Sequence, residues 1–227
     1  MTKSLLLLQM GLVTAVAGLA GTINGTVRAT PPAGAPESAG AGGAYDSRRY
    51  KFAERIDYER IRDFIVYIDQ PMAAAVPGAP PLAAVTTQRD ASFDPHVLPV
   101  AVGTTVRWPN EDDIYHNVYS DSEVKPFDLK FYKKEKVPEV TFDQVGRVDV
   151  FCAIHSKMHC IVLVLPNAYF VRADAKGRFV IRDVPAGTYK LRAWHERLPS
   201  QTREIVVPEE GEVRVEFKLG LGELPKY

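Results

Sequence analysis

Cys152-Ala153-Ile154-His155-Ser156-Lys157-Met158 gathers a thiol, an imidazole and a thioether within seven residues. These are the soft and borderline donors that select copper, and one cysteine with two histidines and a weak axial methionine is the donor set of a blue-copper electron-transfer site. The stretch lacks one histidine. The best placed is His116, in Asp112-Asp113-Ile114-Tyr115-His116-Asn117-Val118, which falls in a turn between two strand-like segments and can reach a neighbouring strand's end. Zinc is disfavoured, because structural zinc sites favour more thiolates.

Short strands must position these donors. Arg147 to Phe151 alternates apolar and polar residues with Val148 and Val150 in phase with Cys152, so the cysteine points inward at a strand's end. His155 then lies on a tight loop, and Met158 opens the next apolar run, His159 to Leu165. One turn carries three donors while a distant strand contributes His116.

The whole run from about 86 to 166 resembles the cupredoxins, and the C-x-x-H-x-x-M spacing is most similar to their amicyanin and plastocyanin-like members. Phe93-Asp94-Pro95, Val100-Ala101-Val102-Gly103-Thr104-Thr105-Val106-Arg107-Trp108, Asn110-Glu111-Asp112 and His116-Asn117-Val118 carry the resemblance upstream. It implies one type 1 copper ion per chain, held by His116, Cys152, His155 and Met158. It also implies that Asn117 ties the ligand-bearing loops together by hydrogen bonds, the outer support that metal ligands need. The sequence departs from the family pattern at Ala153, where a serine or threonine is frequent, so that side-chain tether is missing.

The same residues have plainer readings. Cys152 with Cys160 is the only pair available for a disulfide. Against that, Cys160 is in phase with Val162 and Val164 on a strand that is also apolar along Ile161 and Leu163, which suits a buried free thiol on a strand covered on both sides. Met158 read alone is core filler, and His155 a loop residue. His96, His159 and His195 read as surface or structural histidines, since none completes a second cluster.

Met1 to Ala20 has the pattern of a secretory signal, with Lys3 as the basic start, Leu5 to Leu19 as the apolar core and Gly18-Leu19-Ala20 as a small-residue cleavage site. Ala15-Val16-Ala17 is a competing site. Gln9, Gly11 and Thr14 interrupt the apolar run, which argues against a stable membrane span once the signal is cleaved. The expected location is therefore periplasmic or secreted. The chain of 227 residues balances 28 basic against 28 acidic side chains. Nucleic acid is thus not an expected partner, because phosphate binding needs a basic excess.

The remaining chain reads as all-β. Gly21 to Ala29 and Phe64 to Asp69 are strand-like, whereas Pro31 to Ala44 and Pro71 to Pro81 are rich in Pro, Ala and Gly and read as loops. Asp46 to Arg62 has partial helical periodicity. Strands are expected near Val97 to Val102, Thr104 to Trp108, His116 to Ser120, Glu139 to Phe142, Val148 to Phe151 and Cys160 to Leu165, as in a Greek-key sandwich. Lys125 to Lys136 reads as a solvated lysine-rich hairpin or as a dock for an acidic redox partner.

From Ala168 the pattern changes to hairpins around Asp174-Ala175-Lys176-Gly177 and Pro185-Ala186-Gly187. Tyr189 to Ala193, Ile205 to Val207 and Val213 to Phe217 complete the set. Gly177-Arg178-Phe179 through Val184-Pro185-Ala186-Gly187-Thr188-Tyr189 resembles the carboxypeptidase-regulatory-like, transthyretin-like β-sandwich module, which implies binding or scaffolding and not hydrolysis. Ile23-Asn24-Gly25-Thr26-Val27 resembles that module's opening strand, so the copper region would be inserted in it. The expected parts are a signal over 1–20, N-terminal strands and a flexible loop over 21–85, a cupredoxin-like sandwich over 86–166 and a second small sandwich over 167–227.

Three functions compete. The first is an exported blue-copper protein that carries single electrons between redox partner proteins. The second is a copper-binding or delivery protein with the same ligands, and the third a metal-free pair of β-sandwiches that binds other proteins. An enzyme is not expected, because five histidines spread singly cannot build the extra clusters of a multicopper oxidase and no catalytic grouping or phosphate loop is present.

Overall fold

The computed structural model describes residues 20–31, 58, 60–72 and 83–221. The expected signal segment, the loop over 31–44 beyond Pro31, most of the partly periodic stretch over 46–62 and most of the loop over 71–81 lie outside them. Among the described residues there is no helix, so none is long and apolar enough to cross a membrane. They form strands joined by turns and loops.

The site rests on one five-stranded sheet. In chain order its strands are β6 (Val97–Ala101), β8 (His116–Ser120), β9 (Phe127–Tyr132), β11 (Gly146–Phe151) and β12 (His159–Leu165), laid side by side as β6-β12-β11-β8-β9. A second sheet, β7 (Thr104–Arg107) between β3 (Ala83–Val85) and β10 (Glu139–Phe142), contributes Val106, Val140 and Phe142 to the core between the two. Trp108, Val118, Val148, Val150, Cys160, Val162 and Val164 fill the same core. The period-two phase of the sequence is thereby satisfied on both strands flanking the cysteine loop. A short hairpin, β4 (Thr87–Arg89) and β5 (Ser92–Asp94), packs beside this sandwich.

A second sandwich is built from both ends of the chain. β1 (Ala20–Ala29) lies between β14 (Arg178–Pro185) and β17 (Glu212–Leu219), antiparallel to the first and parallel to the second. β2 (Ile65–Ile68) lies between β13 (Phe170–Arg172) and β15 (Gly187–His195), and β15 pairs onward with β16 (Leu198–Val207). The expected split at 21–85 is therefore corrected. β1 and β2 have no sheet of their own, because their backbone groups are satisfied only by strands some 100 to 190 residues away. β3 to β12 are inserted between β2 and β13.

The four larger sheets stack face to face through three apolar layers. Val66 and Ile68 of β2 face the layer inside the second sandwich, while Ile65 and Tyr67 face Ile161, Leu163 and Leu165 of β12 in the middle layer. Val97 and the half-buried Phe170 and Trp194 close that middle layer. β2 and β12 are thus apolar on both faces because both faces are covered.

Lys125 to Lys136 is not a simple solvated hairpin. Its centre is the edge strand β9, and its lysines are mostly matched within the chain, Lys125 to Asp143 at 2.9 Å, Lys130 to Asp128 and Lys134 to Asp113. Lys133 sits over the Tyr115 ring at 4.7 Å.

Candidate metal centre

Antiparallel pairing delivers the donors to one pole of the five-stranded sheet. Phe151, the last residue of β11, pairs with Tyr119 of β8 on one side and His159 of β12 on the other. Cys152, one residue further, therefore arrives beside the start of β8, where His116 is the first residue and pairs with Tyr132 of β9. The cysteine loop is closed by its own backbone: Met158 N–H donates to the His155 carbonyl at 2.9 Å, and Cys152 N–H donates to the Met158 carbonyl at 3.3 Å.

The result is a convergence of three donor atoms. His116 Nδ1 lies 3.0 Å from His155 Nδ1, and Cys152 Sγ lies 3.9 Å from the first and 3.6 Å from the second. The point equidistant from all three is about 2 Å from each, close to the metal–nitrogen and metal–sulfur bond lengths of about 2.0 to 2.3 Å. Among the described residues this is the one group of three His, Cys, Asp or Glu side chains whose ligand atoms converge in this way. His116 and Cys152 are buried and His155 half-buried. Met158 is 1% exposed in the same apolar cluster as Cys152, at the far end of the loop that its carbonyl closes onto the Cys152 N–H. The donor set and its spacing fit copper.

Outer hydrogen bonds hold this arrangement. Asn117 Oδ1 accepts from the Ala153 N–H at 3.3 Å, and its Nδ2 donates to Asp128 Oδ1 at 2.7 Å. The tether absent from the Ala153 side chain is thus made by the Ala153 backbone. On the other side His116 Nε2 lies 2.8 Å from Asp112 Oδ2. An imidazole that donates from one ring nitrogen to a carboxylate has the lone pair of the other nitrogen free for a metal.

Asp112 is an element that sequence reading missed. Burial works against its charge, yet the Ala91 N–H, the His116 ring and the Asp90 N–H hold its carboxyl below the usual carboxylate range. Its position four residues before His116, in a loop that also holds Asn110, was the available signal. Asn110 Oδ1 accepts from Asp112 N–H at 2.9 Å, and Asn110 Nδ2 donates to the carbonyls of Ile114 and Tyr132 at 3.0 and 3.1 Å. Beneath them, Gln88 Nε2 donates to Tyr132 Oη at 2.6 Å and the Tyr132 hydroxyl donates to the Trp108 carbonyl at 2.8 Å. Burial pushes the Tyr132 hydroxyl well up, against the Gln88 hydrogen bond and with the Cys152 charge, so it stays protonated.

The other cysteine and histidines take structural places. Cys160 is a free, fully buried thiol, and burial, helped by the Asp149 charge, pushes it far above the ordinary thiol range. His159 Nε2 meets Asp149 Oδ1 at 2.8 Å, His96 Nε2 meets Glu196 Oε2 at 2.9 Å, and His195 Nδ1 accepts from the Arg197 N–H at 3.1 Å. His96 and Glu196 join the two sandwiches.

Residues 166–215 match the model of the family described as Polysaccharide lyase family 4, domain II (fn3_3). That stretch falls in the second sandwich, and the description differs from the transthyretin-like resemblance read from the hairpins. No curated protein matches the chain. The structural neighbours are cupredoxins, at low TM-scores. A copper-containing nitrite reductase from Thermus scotoductus is 30% identical over 42% of this chain, at a TM-score of 0.36, and only 25% of its own length is covered. A purple cupredoxin from Nitrosopumilus maritimus is 24% identical over 36% of this chain and 98% of its own, at 0.33. Amicyanin from Paracoccus versutus is 26% identical over 44% of this chain and 96% of its own, at 0.34.

Proposed function

We propose that this chain is an exported copper protein, periplasmic or secreted, that holds one type 1 copper ion through His116, Cys152, His155 and Met158 and carries single electrons between redox partner proteins without catalysis of its own. The observation that carries this reading is the convergence of His116 Nδ1, His155 Nδ1 and Cys152 Sγ within 3.0 to 3.9 Å of one another at the end of the five-stranded sheet.

Copper, when bound, supplies one-electron chemistry at these donors. Cys152, as thiolate, would donate sulfur from inside the core, and the backbone bonds between residues 152 and 158 fix its loop. His116 is held from behind by Asp112, and the cysteine loop is held to β8 through Asn117. Such fixed ligands limit rearrangement between two charge states, as electron transfer requires. His155 is the more exposed imidazole, and the exposed Ile154 and Tyr115 adjoin the two ligand histidines in sequence. His155 is therefore the electron port, with an apolar rim for a partner to cover. The Ala153–Asn117 bond favours retention of the ion over its delivery to another protein.

The test is titration of the metal-free chain with Cu(II), followed by visible and paramagnetic resonance spectra. One equivalent should give an intense blue band that Cys152→Ser abolishes. A folded chain that takes up no copper, or a band that survives Cys152→Ser, overturns the assignment.

A further inference from the structure

The β4–β5 turn and the loop before β8 meet on one carboxylate. Arg89 pairs with Ser92 across a two-residue turn in which Asp90 and Ala91 both have positive φ, 53° and 50°. Turns of this kind favour Asn-Gly, and residues with side chains held there are strained, a strain that tends to persist at functional sites. The strained turn aims both of its N–H groups at Asp112, Asp90 N to Oδ1 at 2.8 Å and Ala91 N to Oδ2 at 3.0 Å. The Asp112 side chain is 15% exposed, and its Oδ2 also faces His116 Nε2, on a ring that is fully buried. Arg89 Nε, donating to Glu111 Oε2 at 2.8 Å, stitches the hairpin to the same loop.

We infer that Asp112 is the positioning residue of the proposed copper site: it fixes His116 with the proton on Nε2, keeps Nδ1 free for the metal, and places a negative charge behind the ligand that favours the oxidised ion. This inference rests on the copper reading. The reason is electrostatic. A carboxylate behind an imidazole raises the ligand's basicity, and Cu(II) gains more from it than Cu(I) because it carries the larger charge. A role confined to capping the β4–β5 turn would need only an acceptor for Asp90 and Ala91. The third contact, to a buried ring whose opposite nitrogen faces Cys152 and His155, is what a turn cap does not require.

The experiment uses the full chain, metal-free and copper-loaded, as wild type, Asp112→Asn and Asp112→Ala. In metal-free wild type, nitrogen-correlated proton spectra of the imidazoles should show the His116 proton on Nε2, at low field and slow to exchange. Asp112→Asn should shift it upfield and speed its exchange, and Asp112→Ala should lose it. In the loaded chain Asp112→Asn should weaken Cu(II) binding by about 10- to 100-fold. The potential should then rise by about 59 mV for each tenfold by which Cu(II) loses more affinity than Cu(I). A His116 proton on Nδ1, or an Asp112→Asn chain with unchanged exchange, affinity and potential, overturns the inference. If the metal-free spectra behave as described and the wild type binds no copper, the positioning role stands and the copper reading falls.

Discussion

Asn117 Oδ1 accepts the Ala153 N–H at 3.3 Å, so the residue after the histidine of one strand is tied to the residue after the cysteine of another. The same amide reaches Asp128 on β9. Asn117→Ala should leave a folded protein with a blue band, less stable by about 0.5 to 1.5 kcal/mol, the net worth of a typical hydrogen bond whose partners water can still reach. It should also surrender copper to a chelator several-fold faster, because the Ala153 N–H loses its tie to β8. Denaturant midpoints and chelator kinetics check the two effects, and an unchanged release rate would mean that the loop is held by its own backbone bonds alone.

Met158→Leu tests the axial position. The side chain is buried and the replacement is close in volume, so stability should fall by less than about 1.5 kcal/mol. Copper should stay bound and the reduction potential should rise, because loss of a weak donor disfavours the oxidised ion. Voltammetry of the two proteins side by side decides it: equal potentials would make Met158 packing only.

Cys160→Ala separates the two cysteines. Its thiol is fully buried in the same core as Val162 and Val164, and burial keeps it protonated. The substitution should cost about 1 to 2 kcal/mol through a small cavity and leave the copper spectrum as it was. A lost spectrum in a folded protein, or a Cys152–Cys160 disulfide found by mass analysis of the metal-free chain, would replace the copper reading with a stapled module.

Ala91→Gly probes the strained hairpin. Glycine removes the penalty of a side chain at a φ of 50° and should raise stability by about 0.5 to 1 kcal/mol. The N–H to Asp112 is retained, so the copper spectrum should not change. Thermal unfolding of the two proteins measures the difference, and a loss of stability would show that the Ala91 methyl group makes contacts worth more than the strain it causes.

What the sequence determined by itself was local. The C-x-x-H-x-x-M spacing put three donors on one turn, and the alternation of Val148, Val150 and Cys152 turned the thiol inward, because a strand's side chains change face at every residue whatever lies beside it. The apolar runs Ile65 to Ile68 and Ile161 to Leu165 carried a two-sided burial that was read for β12. What covers the second face of β12 is β2, nearly one hundred residues earlier, and only the tertiary structure decided that. The same holds for β1, whose partners are β14 and β17. The lysine run hid β9: Phe127 to Lys130 alternates apolar and polar as an edge strand with one wet face should, but the phase breaks after Lys130, whose φ is 60°, leaving Phe131 exposed and Tyr132 buried and only four residues of pattern to read. Asp112 left only its position four residues before His116 as a signal: its role also comes from a hairpin turn over twenty residues away whose two N–H groups point at it, and hydrogen-bond partners chosen across space leave no period in the chain.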